Sequence, residues 1–137
     1  DGTVRTILTS VAGREGPRDG SAGTARVGSL GAVAVVDDGT VVFIDAGHRC
    51  VRRIDPDGVV RTVGGLESDD RGGRRPRVRF DAPAGVAVDG RGGIWVLDHG
   101  DRGTEAVRLT DDGRIDRRLR WSRGGAATGG PAAGHAP

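Results

Sequence analysis

The hydrophobic positions of this chain fall into short clusters of β-branched residues that are separated by turns rich in Gly and Asp. Typical turns are 37–39 and 57–58, in which Gly supplies a positive φ. Short runs rich in Val and Ile between such turns are typical of strands and not of helices. The pattern predicts strands near 32–36, 40–45, 50–54 and 59–64, and again near 84–88, 93–98, 106–109 and 114–119.

One short block of sequence occurs three times in similar form, at 1–7, 57–63 and 112–118, with offsets of 56 and 55 residues. A repeat that short cannot bury its own apolar face, so neighbouring copies must stack. The first strand of each copy, 33–36 or 86–88, is uniformly apolar, which indicates a strand covered on both faces. Four strands per unit, running from a buried inner strand to an outer one, form the plan of a propeller blade.

Several short motifs that recur in the same order resemble the NHL repeat. They are 85–89 (GVAVD), 93–98 (GIWVLD), 45–58 (DAGHRCVRRIDPDG) and 79–83 (RFDAP). The resemblance covers about residues 1–120 and implies blades of a propeller, typically six-bladed, that binds proteins, RNA or small ligands; a few related propellers are enzymes. The second copy departs from the family at 98–104, where the usual Asn-His-Arg order is lost, and the first lacks the Pro before its inner strand.

We therefore expect an all-β chain, a partial β-propeller of two four-stranded NHL-type blades plus one extra strand, with a disordered C-terminal tail. Residues 1–12 are predicted to be the outer strand of a preceding blade, and 121–137 a flexible tail of Gly, Ala and Pro. Residues 13–65 and 66–120 are predicted to be the two blades, each with a long inter-blade loop. Since six blades need about 330 residues, further blades are expected from the same longer chain or from self-association.

Composition narrows the function classes only modestly. The formal net charge is +2, and all 21 basic residues are Arg in a chain without Lys. Overall charge therefore does not indicate nucleic-acid binding. Cys50 is alone, which excludes an internal disulfide and a Cys-based zinc cluster and favours a small buried side chain. No apolar run is long enough to span a membrane, so the sequence predicts a soluble segment; its compartment stays open, an extracytoplasmic part of a larger bacterial protein being one interpretation.

In blade topology the inter-blade loops share one face with the loops that join the second and third strands. This face is the predicted binding surface for a protein or a small ligand, because long loops often carry function. Its candidate residues are Asp45, His48, Arg49, Asp98, His99 and Arg102. The alternative is that these loops merely cover the tops of the blades.

Asp45 and Asp98 are candidates for a catalytic acid and base. An Asp before Gly in a tight turn, however, more often caps backbone N–H groups. With His48 and His99 they could also form an N/O metal site. The two His positions are offset by two residues between the copies, however, and His135 lies in the tail. The sequence therefore predicts no catalytic residue, no metal and no cofactor.

The densest charge run lies in the second inter-blade loop and comprises Arg71, Arg74, Arg75, Arg77 and Arg79. It fits an anionic polymer or an acidic protein, or simply a solvated loop in an Arg-biased sequence. The function favoured by the sequence is a non-catalytic NHL-repeat segment that serves as a binding scaffold. The alternatives are part of a metal-dependent propeller enzyme, lyase- or lactonase-like, and an anion- or RNA-binding surface.

Overall fold

The computed structural model of the chain describes residues 2–9, 16–65, 79–101, 103–121 and 128–131. These residues contain strands and turns and no helix, and therefore no helix that could cross a membrane. The strands are β1 (Gly20–Ser21), β2 (Leu30–Val35), β3 (Val41–Asp45), β4 (Cys50–Ile54), β5 (Val59–Gly64), β6 (Pro83–Val88), β7 (Ile94–Gly100), β8 (Gly103–Leu109), β9 (Ile115–Trp121) and β10 (Thr128–Pro131).

The strands form two antiparallel five-stranded sheets with the orders β1-β5-β4-β3-β2 and β10-β9-β8-β7-β6. In each sheet four consecutive strands form a meander, which we call blade 1 (β2–β5) and blade 2 (β6–β9). The two inner strands, β2 and β6, lie next to each other. The chain is thus an all-β, partial β-propeller, and the eight predicted blade strands are confirmed to within a few residues. The largest difference is at β8, which begins at Gly103 because β7 and β8 stay paired as far as Gly100 and Gly103.

The strands at the outer edges differ from the expectation. Residues 2–9 form no strand; the described residues contain no preceding blade with which they could pair. The fifth strand of the first sheet is instead β1, which pairs with β5. In the predicted tail, β10 pairs with residues 117–120 of β9. An open sheet edge offers unpaired N–H and C=O groups whatever the side-chain pattern, so a Gly-rich segment can join it.

The main core lies between the blades. We call the face of blade 1 that carries Val42 and Ile44 its front, and the face of blade 2 that carries Ile94 and Val96 its back. The core joins the front of blade 1 to the back of blade 2 and comprises Val42, Ile44, Val51, Val63, Phe80, Ile94, Val96, Val107 and Leu109. Since strand side chains alternate between faces, each blade also has an opposite face.

The back of blade 1 is covered in part by the segment that precedes β2. Ala25 and Val27 from this segment pack against Phe43 and Val60 in a second, smaller cluster. The inner strand of the same face is left bare, because Val33 and Val35 are 61% and 63% exposed.

Candidate functional site

Asp45, the last residue of β3, organises the top of blade 1. Its carboxylate is fully buried and accepts hydrogen bonds from the backbone N–H of Gly28, at 3.1 Å to each oxygen, and from that of His48 at 3.2 Å. Nδ1 of His48 lies 2.8 Å from Oδ2 of Asp45. Because a carboxylate only accepts, this contact places a proton on Nδ1 of His48. Asp45 thus holds both the following turn and the preceding inter-blade segment.

Asp98 has the equivalent role in blade 2. It is 6% exposed and accepts hydrogen bonds from the backbone N–H of Asp81 at 3.0 Å and of Ala82 at 2.7 Å. The predicted capping of the following turn is confirmed at Asp45, whereas the N–H groups that Asp98 caps belong to the segment before β6. His99, in contrast, lies with Nδ1 3.0 Å from the hydroxyl of Thr104 on the neighbouring strand. The two-residue offset between the His positions therefore gives them different partners.

A cleft of about 300 Å³ opens beside the turn of blade 1. It lies between this turn and the segment that leads into blade 2, and its lining residues are Pro17, Gly47, His48, Arg49, Gly65, Arg79 and Phe80. Gly65 has a φ of +98°, and a Cβ at this position would lie 2.6 Å from the carbonyl oxygen of Arg49 and 2.7 Å from the ring of Phe80. The floor of the cleft therefore needs glycine at this point.

The lining of this cleft is basic. Arg49 and Arg79 are exposed, His48 is half-buried, and among the described residues that line the cleft there is no carboxylate. Arg49 has a φ of +53°, a left-handed conformation that non-Gly residues adopt infrequently. Two guanidinium groups and an imidazole around one small cleft give it the chemistry of an anion-binding site. We call this site the basic cleft.

The structure brings together only some of the residues that the sequence singled out. Asp45, His48, Arg49 and Arg79 lie at or directly behind the basic cleft, whereas Asp98 and His99 lie in β7 of blade 2. The remaining candidates, Arg71, Arg74, Arg75, Arg77, Arg102 and the tail residue His135, lie outside the described residues. In the described part of the chain, no three His, Cys, Asp or Glu side chains converge as metal ligands do.

Sequence reasoning missed Arg52, a fully buried Arg in the middle of β4. Its guanidinium donates to the carbonyl oxygens of Arg26 and Arg18, the latter at 2.6 Å, and to the carboxylates of Asp19 at 3.1 Å and Asp45 at 3.3 Å. Arg52 thereby ties the segment that carries Pro17 to the back of blade 1. The signal was the pair Arg52 and Arg53 within one strand, since adjacent strand residues point to opposite faces and one Arg must face inward.

Cys50 is fully buried beside this network. Burial, with a contribution from the nearby Asp45 carboxylate, raises the pKa of the Cys50 thiol to about 12. A thiol in this state is a poor nucleophile, so Cys50 fills space, as the sequence predicts.

A larger groove, about 670 Å³, lies on the front of blade 2 and is lined by Asp89, Gly90, Arg91, Trp95, Arg108, Asp116 and Arg117. Nε of Arg108 lies 2.6 Å from Asp89, and Nη1 also pairs with Asp116. Hydrogen bonds from Arg108, and then from the backbone N–H groups of Arg91 and Gly93, hold the pKa of Asp89 well below its usual range. The central charges of this groove therefore satisfy one another. We call it the front groove.

Comparison with known proteins adds the following. No protein-family model and no curated protein matches the chain. Two solved structures of virginiamycin B lyase from Staphylococcus aureus resemble it at 18% identity, one substituted with selenomethionine and one a catalytically inactive variant with quinupristin. Their TM-scores are 0.48 and 0.45, and each match covers 73% of this chain. The chain spans 40% of the length of either lyase chain, and at these values the likeness does not bear on its chemistry.

Proposed function

We propose that this chain is a non-catalytic, NHL-type propeller segment that binds a small anionic ligand, a carboxylate or a phosphate, in the basic cleft. The observation that carries the proposal is that His48, Arg49 and Arg79 line one cleft, and none of the described residues that line it is a carboxylate. A volume of about 300 Å³ is at the lower end of the range for small-molecule sites, which suits a ligand of a few heavy atoms. The NHL assignment rests on the sequence motifs.

The geometry around Asp45 supports binding over catalysis. A general base must be free to accept a proton from the substrate. Both oxygens of Asp45 already accept hydrogen bonds from the backbone or from side chains, and both oxygens of Asp98 accept from the backbone. Cys50, the nearest thiol, is buried and has a raised pKa. These groups hold the loops in place and leave the exposed guanidinium groups to meet a ligand.

The predicted mode of binding is charge-assisted hydrogen bonding from Arg49 and Arg79, because a guanidinium presents paired N–H donors that match two oxygens of one anion. His48 is held by Asp45 at the wall of the cleft, so its ring orientation is fixed before the ligand arrives. Such preorganisation lowers the entropy cost of binding. Binding is expected to weaken as salt increases, since the two Arg side chains are exposed.

Isothermal titration calorimetry with inorganic phosphate and with citrate as probes tests the proposal. Arg49→Gln and Arg79→Gln are each expected to lower the affinity about tenfold, the loss of one charge-assisted hydrogen bond. Arg114→Gln is the matched control, because Arg114 is exposed, pairs with Asp112 and does not line the cleft. Equal affinity in all four proteins, or no binding, would contradict the proposal.

The enzyme alternative makes a separate prediction. It requires a stoichiometric metal, which elemental analysis of the purified protein detects, and turnover that disappears in the His48→Ala variant. Either result would replace the binding function with a catalytic one. The RNA-binding alternative predicts single-stranded RNA binding with steep salt dependence.

A further inference from the structure

Asp45 connects the basic cleft to the buried network of blade 1. Nδ1 of His48 lies 2.8 Å from Oδ2 of Asp45, and Nη1 of Arg52 lies 3.3 Å from the same oxygen. The carboxylate and the guanidinium are both fully buried, whereas His48 is half-buried at the wall of the cleft. One carboxylate oxygen therefore contacts a permanent cation on one side and, on the other, an imidazole that can gain a charge.

Close packing fixes the position of His48 against Asp45. The carboxylate also accepts hydrogen bonds from the backbone N–H groups of Gly28 and His48. A Cβ at Gly28 would lie 2.9 Å from Oδ1 of Asp45 and 3.2 Å from Nδ1 of His48, so the segment before β2 lies directly against the pair. Because Nδ1 already carries the proton of this contact, a second proton joins the ring at Nε2. Protonation therefore changes the charge of His48 without breaking its hydrogen bond to Asp45.

On the buried side of His48, the nearest charges offset one another. The negative charge of Asp45 lies beside the positive charge of Arg52, and Asp19, which also pairs with Arg52, is half exposed. The Cys50 thiol stays uncharged up to alkaline pH, because burial raises its pKa to about 12. The imidazole thus faces a buried ion pair and not a lone carboxylate, so Asp45 alone does not decide the charge of the ring.

On the side of the cleft, the charge of His48 depends on whether an anion is bound. Arg49 belongs to the same turn and Arg79 to the segment that leads into β6, and both line the cleft together with the imidazole. Without an anion, these two cations oppose a third positive charge. An anion between them reverses the effect, because an opposite charge within a few ångströms favours the protonated ring.

We infer that the basic cleft binds its anion together with a proton, which His48 takes up from solvent at Nε2. The inference rests on the proposed function and adds its regulation by pH. The cleft binds more tightly at mildly acidic pH, where an imidazole is charged, and less tightly as the pH rises and the ring becomes neutral. Arg49 and Arg79 keep their charges throughout and supply the affinity that remains at alkaline pH.

Isothermal titration calorimetry of the full chain with sulfate at about pH 5.5 and about pH 8.5 tests the inference. Sulfate is the suitable probe because it stays a dianion over this whole range, whereas phosphate and citrate titrate within it. The unaltered chain is expected to bind sulfate about tenfold more tightly at the lower pH, the effect of one additional charge-assisted interaction. At intermediate pH the heat of binding should also depend on the ionisation enthalpy of the buffer, because a proton is taken up.

Two His variants form a matched pair for this experiment. His48→Asn removes the ionisable ring and keeps an N–H donor for Asp45, so its affinity for sulfate is expected to be the same at both pH values. His99→Asn is the control, because His99 lies in β7 with Nδ1 3.0 Å from the hydroxyl of Thr104 and is not among the described residues that line the cleft. This variant is expected to keep the tenfold difference. Circular dichroism checks the fold of both.

The outcomes separate the inference from the proposed function. Equally tight sulfate binding at both pH values in the unaltered chain, or a pH dependence that persists in His48→Asn, would overturn the inference and leave the proposed function intact. No sulfate binding at either pH would contradict both. If His48→Asn does not fold, NMR of the imidazole signals in the unaltered chain decides: sulfate is expected to keep the ring of His48 protonated to a higher pH and to leave His99 unaffected. A ring of His48 that titrates identically with and without sulfate would overturn the inference.

Discussion

The same position of the repeat is buried on the back of both blades, but the residue there is charged in blade 1 and apolar in blade 2. Arg52 in blade 1 and Val107 in blade 2 are equivalent positions in the repeat, and both are buried. Val107 joins the apolar core between the blades, whereas Arg52 binds two carboxylates and two carbonyl oxygens beneath the preceding segment. The repeat therefore requires that this position be covered, but what covers it decides whether the residue is apolar or charged.

The tops of the blades differ in a second way. In blade 1 the chain leaves β3 at Asp45 and forms a turn that borders the basic cleft. In blade 2, β7 continues to Gly100 and pairs directly with β8, and a Cβ at Gly100 would clash with Asp81. The turn of blade 1 thus borders a ligand-sized opening, whereas the same position of the repeat in blade 2 continues as a strand.

The largest expected effect distinguishes the two backs. Arg52→Leu leaves the carboxylates of Asp19 and Asp45 without their buried cation, and we expect it to lower the free energy of unfolding by about 3–5 kcal/mol. Val107→Ala removes apolar contacts and is expected to cost about 2 kcal/mol. Urea denaturation measures both. Arg53→Leu is the control, because Arg53 is 28% exposed on the other face of the same strand and should cost at most about 1 kcal/mol. If Arg52→Leu lowered the free energy of unfolding no more than Arg53→Leu does, the hydrogen-bond network of Arg52 would not stabilise blade 1.

The next effect compares the two capping carboxylates. Asp45→Asn changes an acceptor that serves two backbone N–H groups, His48 and Arg52, whereas Asp98→Asn changes one that serves two backbone N–H groups. We expect losses of about 3 and about 1–2 kcal/mol respectively, because buried hydrogen bonds to a charged partner are the costlier ones to break. Thermal unfolding of the two variants measures the difference. An equal loss of stability in the two variants would indicate that the contacts of Asp45 with His48 and Arg52 do not contribute to the free energy of unfolding.

Cys50 offers a pH test of the network in blade 1. The pKa of its thiol is raised to about 12 in the folded chain, above the value of 9.0 for an unperturbed thiol. The resulting stabilisation is fully present below pH 9 and is lost as the pH rises towards 12, since the unfolded thiol ionises first. The chain has neither Lys nor Tyr, so few other side chains titrate in this range. Stability measured between pH 8 and 11 should fall in the unaltered chain and stay flat in Cys50→Ala; parallel curves would contradict the assignment.

The smallest effect concerns the front groove of blade 2. The pKa of Asp89 is lowered by Arg108, so its contribution to stability is present above the ordinary carboxyl pKa of about 4 and is lost as the pH falls below it. Asp89 is partly exposed and screened by solvent, so Asp89→Asn should cost less than about 1 kcal/mol at neutral pH. Urea denaturation of both proteins at pH 7 and at pH 3 measures the difference in their free energies of unfolding. A difference between the two proteins that persists unchanged at pH 3 would rule out this charge effect.

Most of the fold was predictable from the spacing of hydrophobic residues and turns. Clusters of Val and Ile between Gly turns were sufficient to place all eight blade strands, because alternation and turn chemistry are local properties. β10 was not predicted, because its pairing depends on the open edge of β9 and not on its own residues. The capping of the following turn by Asp45 was predictable from the chemistry of Asp before Gly. The contacts of Asp98 with residues 81 and 82 are long-range and were not.

The site was less accessible to sequence reasoning. Arg79 belongs to a run of Arg that was interpreted as one surface, and only the packing of Phe80 between the blades brings it to the turn of blade 1. The burial of Arg52 depends on Arg26 and Arg18, which lie 26 and 34 positions earlier in the chain. No local sequence pattern reveals such distant contacts. The front groove likewise depends on which repeat faces are covered.

The most direct test of the account is to follow the backbone amide signals of the chain by NMR while inorganic phosphate is added. The account predicts shifts confined to the basic cleft, at residues 47–49, 65 and 79–80, with the equivalent turn of blade 2 at 98–101 unchanged. Equal shifts at both turns would mean that phosphate meets exposed Arg without a built site, and no shift at the basic cleft would contradict the proposed function.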